Sequence, residues 1–123
     1  MKVYVTRSSV AAGDDGDAPH ARTFEFPDRT TLEAILAGIV TSKYLASIQG
    51  GMASWSVMSN IPVAVIAQQW TEPRMLGSIP EVRDRALDRE GGMLRLQFNY
   101  HGQIDPEVVA RVLKQLEVRA ERV

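Results

Sequence analysis

Hydrophobic and polar residues alternate over residues 2–6, with Val3 and Val5 on one side and Lys2, Tyr4 and Thr6 on the other. This two-residue period is that of a half-buried strand. Periodicity then stops over residues 8–20, where Gly13, Gly16 and Pro19 mark a long loop. Loops of that length inside a small domain are usually functional or disordered. Residues 23–27 resume as a short strand burying Phe24 and Phe26 and ended by Pro27. Leu32, Ile35, Leu36, Ile39 and Val40 then recur at helical spacing behind a Thr30/Glu33 capping box, which predicts a helix over about 31–41.

After Gly50 and Gly51 come two strand candidates, 52–59 and 62–69, joined at 59–61 as a hairpin. In the first arm Ala53, Trp55 and Val57 alternate with Ser54, Ser56 and Met58, so its serine face is expected to be wet and the arm to lie at an edge. The second arm, apolar on both sides, reads as an interior strand. A short helix is possible near 81–89, with Val82, Ala86 and Leu87 on one side. Leu94, Leu96, Phe98 and Tyr100 alternate with Arg95, Gln97 and Asn99 as a strand. The last helix opens with Asp105 as N-cap and Pro106 at its first position, Ile104 stapling onto Val109. Its core face reads Val109, Val112, Leu113, Leu116 and Ala120, with Glu107 and Arg111 as a surface pair.

The order β-β-α-β-β-(α)-β-α, undivided by repeat or linker, predicts one α+β domain over residues 1–123. About five mainly antiparallel strands are packed by two main helices.

Composition narrows the class. At 123 residues and 45% hydrophobic content the chain can bury a core without metal or disulfide. Its 14 Lys and Arg against 15 Asp and Glu argue against a generally basic nucleic-acid binder. The absence of cysteine removes thiolate metal sites and cysteine nucleophiles. No window approaches a membrane span, and the start runs into a strand with no signal-peptide core, so a soluble, cytoplasmic protein is expected.

Candidate chemistry is sparse. Asp14, Asp15 and Asp17, followed by His20, form an acidic loop. It lacks the alternate acids and twelfth-position glutamate of an EF-hand, and no metal or cofactor is expected. Such a loop suits either solvation or attraction of a basic partner. His20 and His101 could join Ser8, Ser9 and Asp105 in a triad, but no nucleophile elbow surrounds any serine. No phosphate-binding glycine motif occurs. Trp55, Gln68, Gln69 and Trp70 sit on or beside the hairpin, where tryptophan serves either the core or a binding hot spot.

Three stretches carry a resemblance: Val5-Thr6-Arg7-Ser8-Ser9-Val10-Ala11-Ala12-Gly13-Asp14-Asp15-Gly16-Asp17-Ala18-Pro19-His20; Leu45-Ala46-Ser47-Ile48-Gln49-Gly50-Gly51-Met52-Ala53-Ser54-Trp55; and Pro62-Val63-Ala64-Val65-Ile66-Ala67-Gln68-Gln69-Trp70. Together, over about the first 70 residues, they resemble immunity proteins of bacterial polymorphic-toxin and contact-dependent growth inhibition systems. The resemblance implies a non-enzymatic cytoplasmic protein that neutralises one cognate toxin, often a nuclease, by covering its active site or substrate surface. It carries over no binding residue. The candidate partner surface therefore comes from the physical reading: Asp14, Asp15, Asp17, His20, Trp55, Gln68, Gln69 and Trp70, without direct nucleic-acid or membrane contact. Two other readings stay open: a small enzyme using His20 or His101 with carboxylates, and a scaffold that self-associates through an exposed hairpin edge.

Overall fold

Val3 and Val5 are fully buried in the first strand, β1 (Lys2–Arg7), and their positions organise the molecule. The computed structural model describes residues 1–48, 50–77, 82 and 86–121, and the side chains of these except 12, 13, 15 and 116–121. β1 lies between β2 (Arg22–Glu25), antiparallel to it, and β7 (Met93–Tyr100), parallel to it, with Val3 opposite Leu94 and Val5 opposite Leu96. β3 (Ser54–Ser59) and β4 (Ile61–Ala67) form the predicted hairpin, and Asn60 turns it in the left-handed conformation at φ 63°. β5 (Arg74–Met75) closes the far margin, giving the order β2-β1-β7-β3-β4-β5, while β6 (Arg89–Glu90) pairs with the start of β7.

Among the described residues the α+β class and the two helices stand, but the sheet is mixed and has seven strands instead of about five. Strands of two residues, such as β5 and β6, are too short to show a period, and parallel pairing leaves no local mark. Residues 81 and 83–85 of the expected helix at 81–89 lie outside the described residues; of the others, 82 and 86–88 are turn or irregular and Arg89 begins a strand with Glu90.

One face of the sheet is covered by α1 (Leu32–Thr41), whose Leu32, Ile35, Leu36 and Ile39 pack into one core with Val3, Val5, Trp55, Val57, Leu94, Leu96 and Phe98. Each fully buried aliphatic side chain there contributes about 1.5–3 kcal/mol. Val40 points outward instead of joining the stripe. The cap shifts by one residue: Thr31 Oγ1 accepts from Ala34 N–H at 3.2 Å, while Thr30 Oγ1 donates to the Pro27 carbonyl.

α2 (Pro106–Glu121) covers the other face over β3 and β4, where Val109 and Ala110 meet Val65 and Leu76. This burial corrects the hairpin reading. β3 is an interior strand between β7 and β4, and Ser54 and Ser56 are buried, not wet. Their hydroxyls are satisfied, Ser54 Oγ donating to the Ile104 carbonyl at 2.8 Å and Ser56 Oγ bonding His101 Nε2 at 2.7 Å. On α2 the core includes Ala110 in place of Val112, which is exposed, and Ile104 is exposed instead of stapled. Glu107 pairs with Arg74 at 2.5 Å across elements. None of the described helices is long and apolar enough to cross a membrane.

Candidate functional site

The strand directions bring four loops to one edge of the sheet: 8–20 after β1, 42–48 with 50–53 after α1, 68–73 after β4 and 101–105 after β7. Two backbone bonds join three of them, from Ser54 N–H to the Gly102 carbonyl at 3.1 Å and from Gln68 N–H to the Ala53 carbonyl at 2.8 Å, and the Tyr44 hydroxyl ties in the acidic loop by donating to the His20 carbonyl. The acidic loop and the 68–70 turn therefore share this edge, three strand spacings or about 14 Å apart.

The acidic loop is built around an inward-facing carboxylate. Residues Ala12–Asp17 form a 3-10 turn, and Pro19 returns the chain to β1 by accepting from Arg7 N–H at 2.9 Å. The Arg7 guanidinium donates to both oxygens of Asp14 and to the carbonyls of Ser8 and Tyr44. Val10 N–H adds a third donor to Asp14. The Arg7 bonds first, and the Val10 bond next, hold the Asp14 carboxyl at about 2, below its usual 3.8. Asp14 is thus a structural anchor of the loop and not part of its charged rim. Asp17 is exposed, and its carbonyl accepts from His20 N–H at 2.7 Å. The side chain of Asp15 lies outside the description.

The side chain of His20 is only 7% exposed, so it is turned into the loop and not toward a partner. Its Nε2 lies 3.0 Å from Ser9 Oγ and 3.6 Å from Asp14 Oδ2. Ser9 Oγ spends its proton on the Asp14 carbonyl at 3.2 Å and so accepts from Nε2–H. Serine and carboxylate thus address the same ring nitrogen, whereas a hydrolytic triad places the carboxylate on the opposite one. Tyr44 completes the knot, its hydroxyl donating to the His20 carbonyl at 2.6 Å and pushed up to about 12 by burial. His101 joins neither Ser8, Ser9 nor Asp105. It meets Ser56, and burial lowers its pKa from 6.5.

Trp55 is 2% exposed and packs in the core at a tilt against Tyr100, ring centroids 5.0 Å apart, so it has no face to offer a partner. Gln68 clamps the preceding loop, its Oε1 accepting from Ala53 N–H at 3.2 Å and its Nε2 donating to the Ile48 carbonyl at 3.4 Å. Gln69 is exposed beside Trp70, which is half-buried under the Arg74 guanidinium at 4.1 Å.

Sequence reasoning missed Met52 and Ile104, which are 50% and 51% exposed on this edge. Ser54 ties their two segments together through its bonds to Gly102 and Ile104. Both sit where pattern reading assigned them inside elements, Met52 to a strand and Ile104 to a staple. Among the described residues, the edge's ion pairs take up Asp14 with Arg7 and Glu107 with Arg74. Asp17, Glu72 and Asp105 are left without a cationic partner there. The neighbouring cations are Lys43 and Arg22, the latter laid over the Phe24 ring at 4.5 Å.

No protein-family model matches the chain, and comparison with curated proteins and with solved structures likewise finds no match.

Proposed function

We propose that this protein is an immunity protein that binds a cognate bacterial toxin, in our reading a nuclease, and neutralises it by occlusion without catalysis. The observation that carries the reading is the exposed apolar pair Met52 and Ile104 on an edge built from four mutually bonded loops. Apolar side chains of this size left open beside uncompensated carboxylates are the composition of a protein-binding surface, where packed area supplies affinity and charge supplies steering. Nuclease surfaces that hold phosphate backbones are cationic, and the exposed carboxylates Asp17, Glu72 and Asp105 are complementary in charge to such a surface. The Ser9, Asp14 and His20 arrangement supports this reading over hydrolysis, since its bonds are spent on holding the loop. The interior position of β3 weakens self-pairing through that hairpin arm.

The test is genetic and physical. A toxin domain encoded immediately beside this gene, expressed alone, should arrest growth, and co-expression of this chain should relieve it through a 1:1 complex. A Met52→Asp, Ile104→Asp double variant should remain folded and lose the relief. Full relief by that folded variant, or no relief by the wild-type chain, would overturn the proposal.

A further inference from the structure

At the β5 margin of the sheet, residues 69–75 and Glu33, in the first turn of α1, bound an open groove of about 620 Å³. Its aromatic wall is Trp70, over which the guanidinium of Arg74 already lies at 4.1 Å. Arg74 carries its own counterion, Glu107 at 2.5 Å. The two carboxylates that line the groove, Glu33 and Glu72, have no cationic partner among the described residues. Pro73 and Met75 add apolar lining.

We propose that this groove receives an arginine side chain from the bound protein partner. Three features select that chemistry. The indole face already holds a planar guanidinium, that of Arg74, and an incoming arginine would exchange with it there, the Arg74 side chain being 42% exposed and keeping its pair with Glu107. The unpaired carboxylates supply complementary charge, and carboxylates hydrogen-bond a guanidinium fork in two-point fashion. The apolar lining suits the methylene stem of the incoming side chain, which long basic residues bury while their heads stay polar. Lysine fits less well, because its strongly hydrated ammonium neither stacks nor bonds bidentately.

The inference rests on the toxin-binding reading for the identity of the partner, but its test does not use the toxin. The full chain, labelled with ¹⁵N, is titrated with a short glycine–arginine peptide and with the same peptide carrying citrulline, which keeps the shape and removes the charge. The arginine peptide should shift the indole N–H signal of Trp70, assigned by its loss in Trp70→Phe, and leave that of Trp55 in place. The citrulline peptide should bind at least tenfold more weakly. A Glu33→Gln, Glu72→Gln variant should weaken arginine-peptide binding about tenfold, on the scale expected of two exposed ion pairs. Equal binding of the citrulline peptide, unchanged binding by the double variant, or shifts that spare Trp70 would each overturn the inference. Any of these would leave the growth-relief test of toxin binding untouched, whereas peptide binding without growth relief would remove the toxin and leave the groove.

Discussion

The Arg7 guanidinium grips the Asp14 carboxylate at two points, Nη1 to Oδ2 at 2.8 Å and Nη2 to Oδ1 at 3.3 Å. The grip joins the end of β1 to the 3-10 turn that follows it, so the acidic loop is closed by its own first carboxylate.

That closure has a pH signature. The folded-state pKa of Asp14 is lowered from 3.8 to about 2, chiefly by the Arg7 bonds and then by Val10 N–H. A carboxyl depressed in the fold stabilises it fully above the unfolded value, and the contribution is lost as pH falls from 3.8 toward about 2. Urea unfolding across that window should therefore show a steeper loss of stability for wild type than for Asp14→Asn. Identical slopes would mean that the grip contributes nothing to folding.

His101 gives a second signature of opposite chemistry and the same direction. Its pKa is lowered from 6.5 by burial beside Ser56, so the fold holds the neutral ring. Below 6.5 the unfolded chain takes up the proton more readily, and stability is lost as pH falls from there toward the folded value. His101→Gln should remove that part of the decline between neutral pH and the carboxylate range, measured by the same unfolding series. A decline unchanged in the variant would place its origin elsewhere.

The two tryptophans separate core from surface. Trp55 is almost wholly buried against Tyr100 and the α1 face, and truncating such a side chain to alanine costs about 3–5 kcal/mol. That is a large part of the stability of a small domain. Trp70 is half-buried, and its alanine variant should lose about 1–2 kcal/mol of packing and stacking and stay folded. Urea midpoints for the two variants check the order, and a Trp70 loss equal to that of Trp55 would make both residues core.

What the sequence revealed and what it concealed follow from range. Local periods found β1, α1, the hairpin and β7 to within a few residues, because burial of Val3, Ile35, Val57 or Leu96 repeats within each element. The serine face of β3 was misjudged because its cover, α2, begins about fifty residues later, and a hydroxyl bonded to a distant carbonyl looks the same in sequence as one bonded to water. The acidic loop shows the same limit at a functional place. Asp14, Asp15 and Asp17 are equivalent by composition, and only the return of the turn onto Arg7 makes Asp14 an anchor while Asp17 stays outside. The sequence offers His20 and Trp55 as candidate partner contacts, but a side chain's direction is a tertiary property, and both point inward.

This division of roles changes how the electrostatics of the proposed toxin binding should be tested. Replacing the aspartates of the loop together would mix two effects, since Asp14→Asn loosens the loop itself. The charges free to steer a partner are those of Asp17, Glu72 and Asp105, and asparagine at 105 preserves the helix cap that now accepts from Glu107 N–H at 2.9 Å. Rim charges act mainly on the association rate, and at 0.15 M salt the screening length is about 8 Å, so their effect should be large at low salt and small at high salt. The variant Asp17→Asn, Glu72→Gln, Asp105→Asn should therefore associate more slowly with the proposed toxin partner, with a flatter salt dependence and nearly unchanged melting. Met52→Ala and Ile104→Ala should do the reverse, leaving association almost intact and speeding dissociation through lost packed area. Stopped-flow rates at several salt concentrations distinguish the two patterns. If the triple variant keeps the wild-type salt dependence, this edge does not steer the partner, and recognition must be sought on another face.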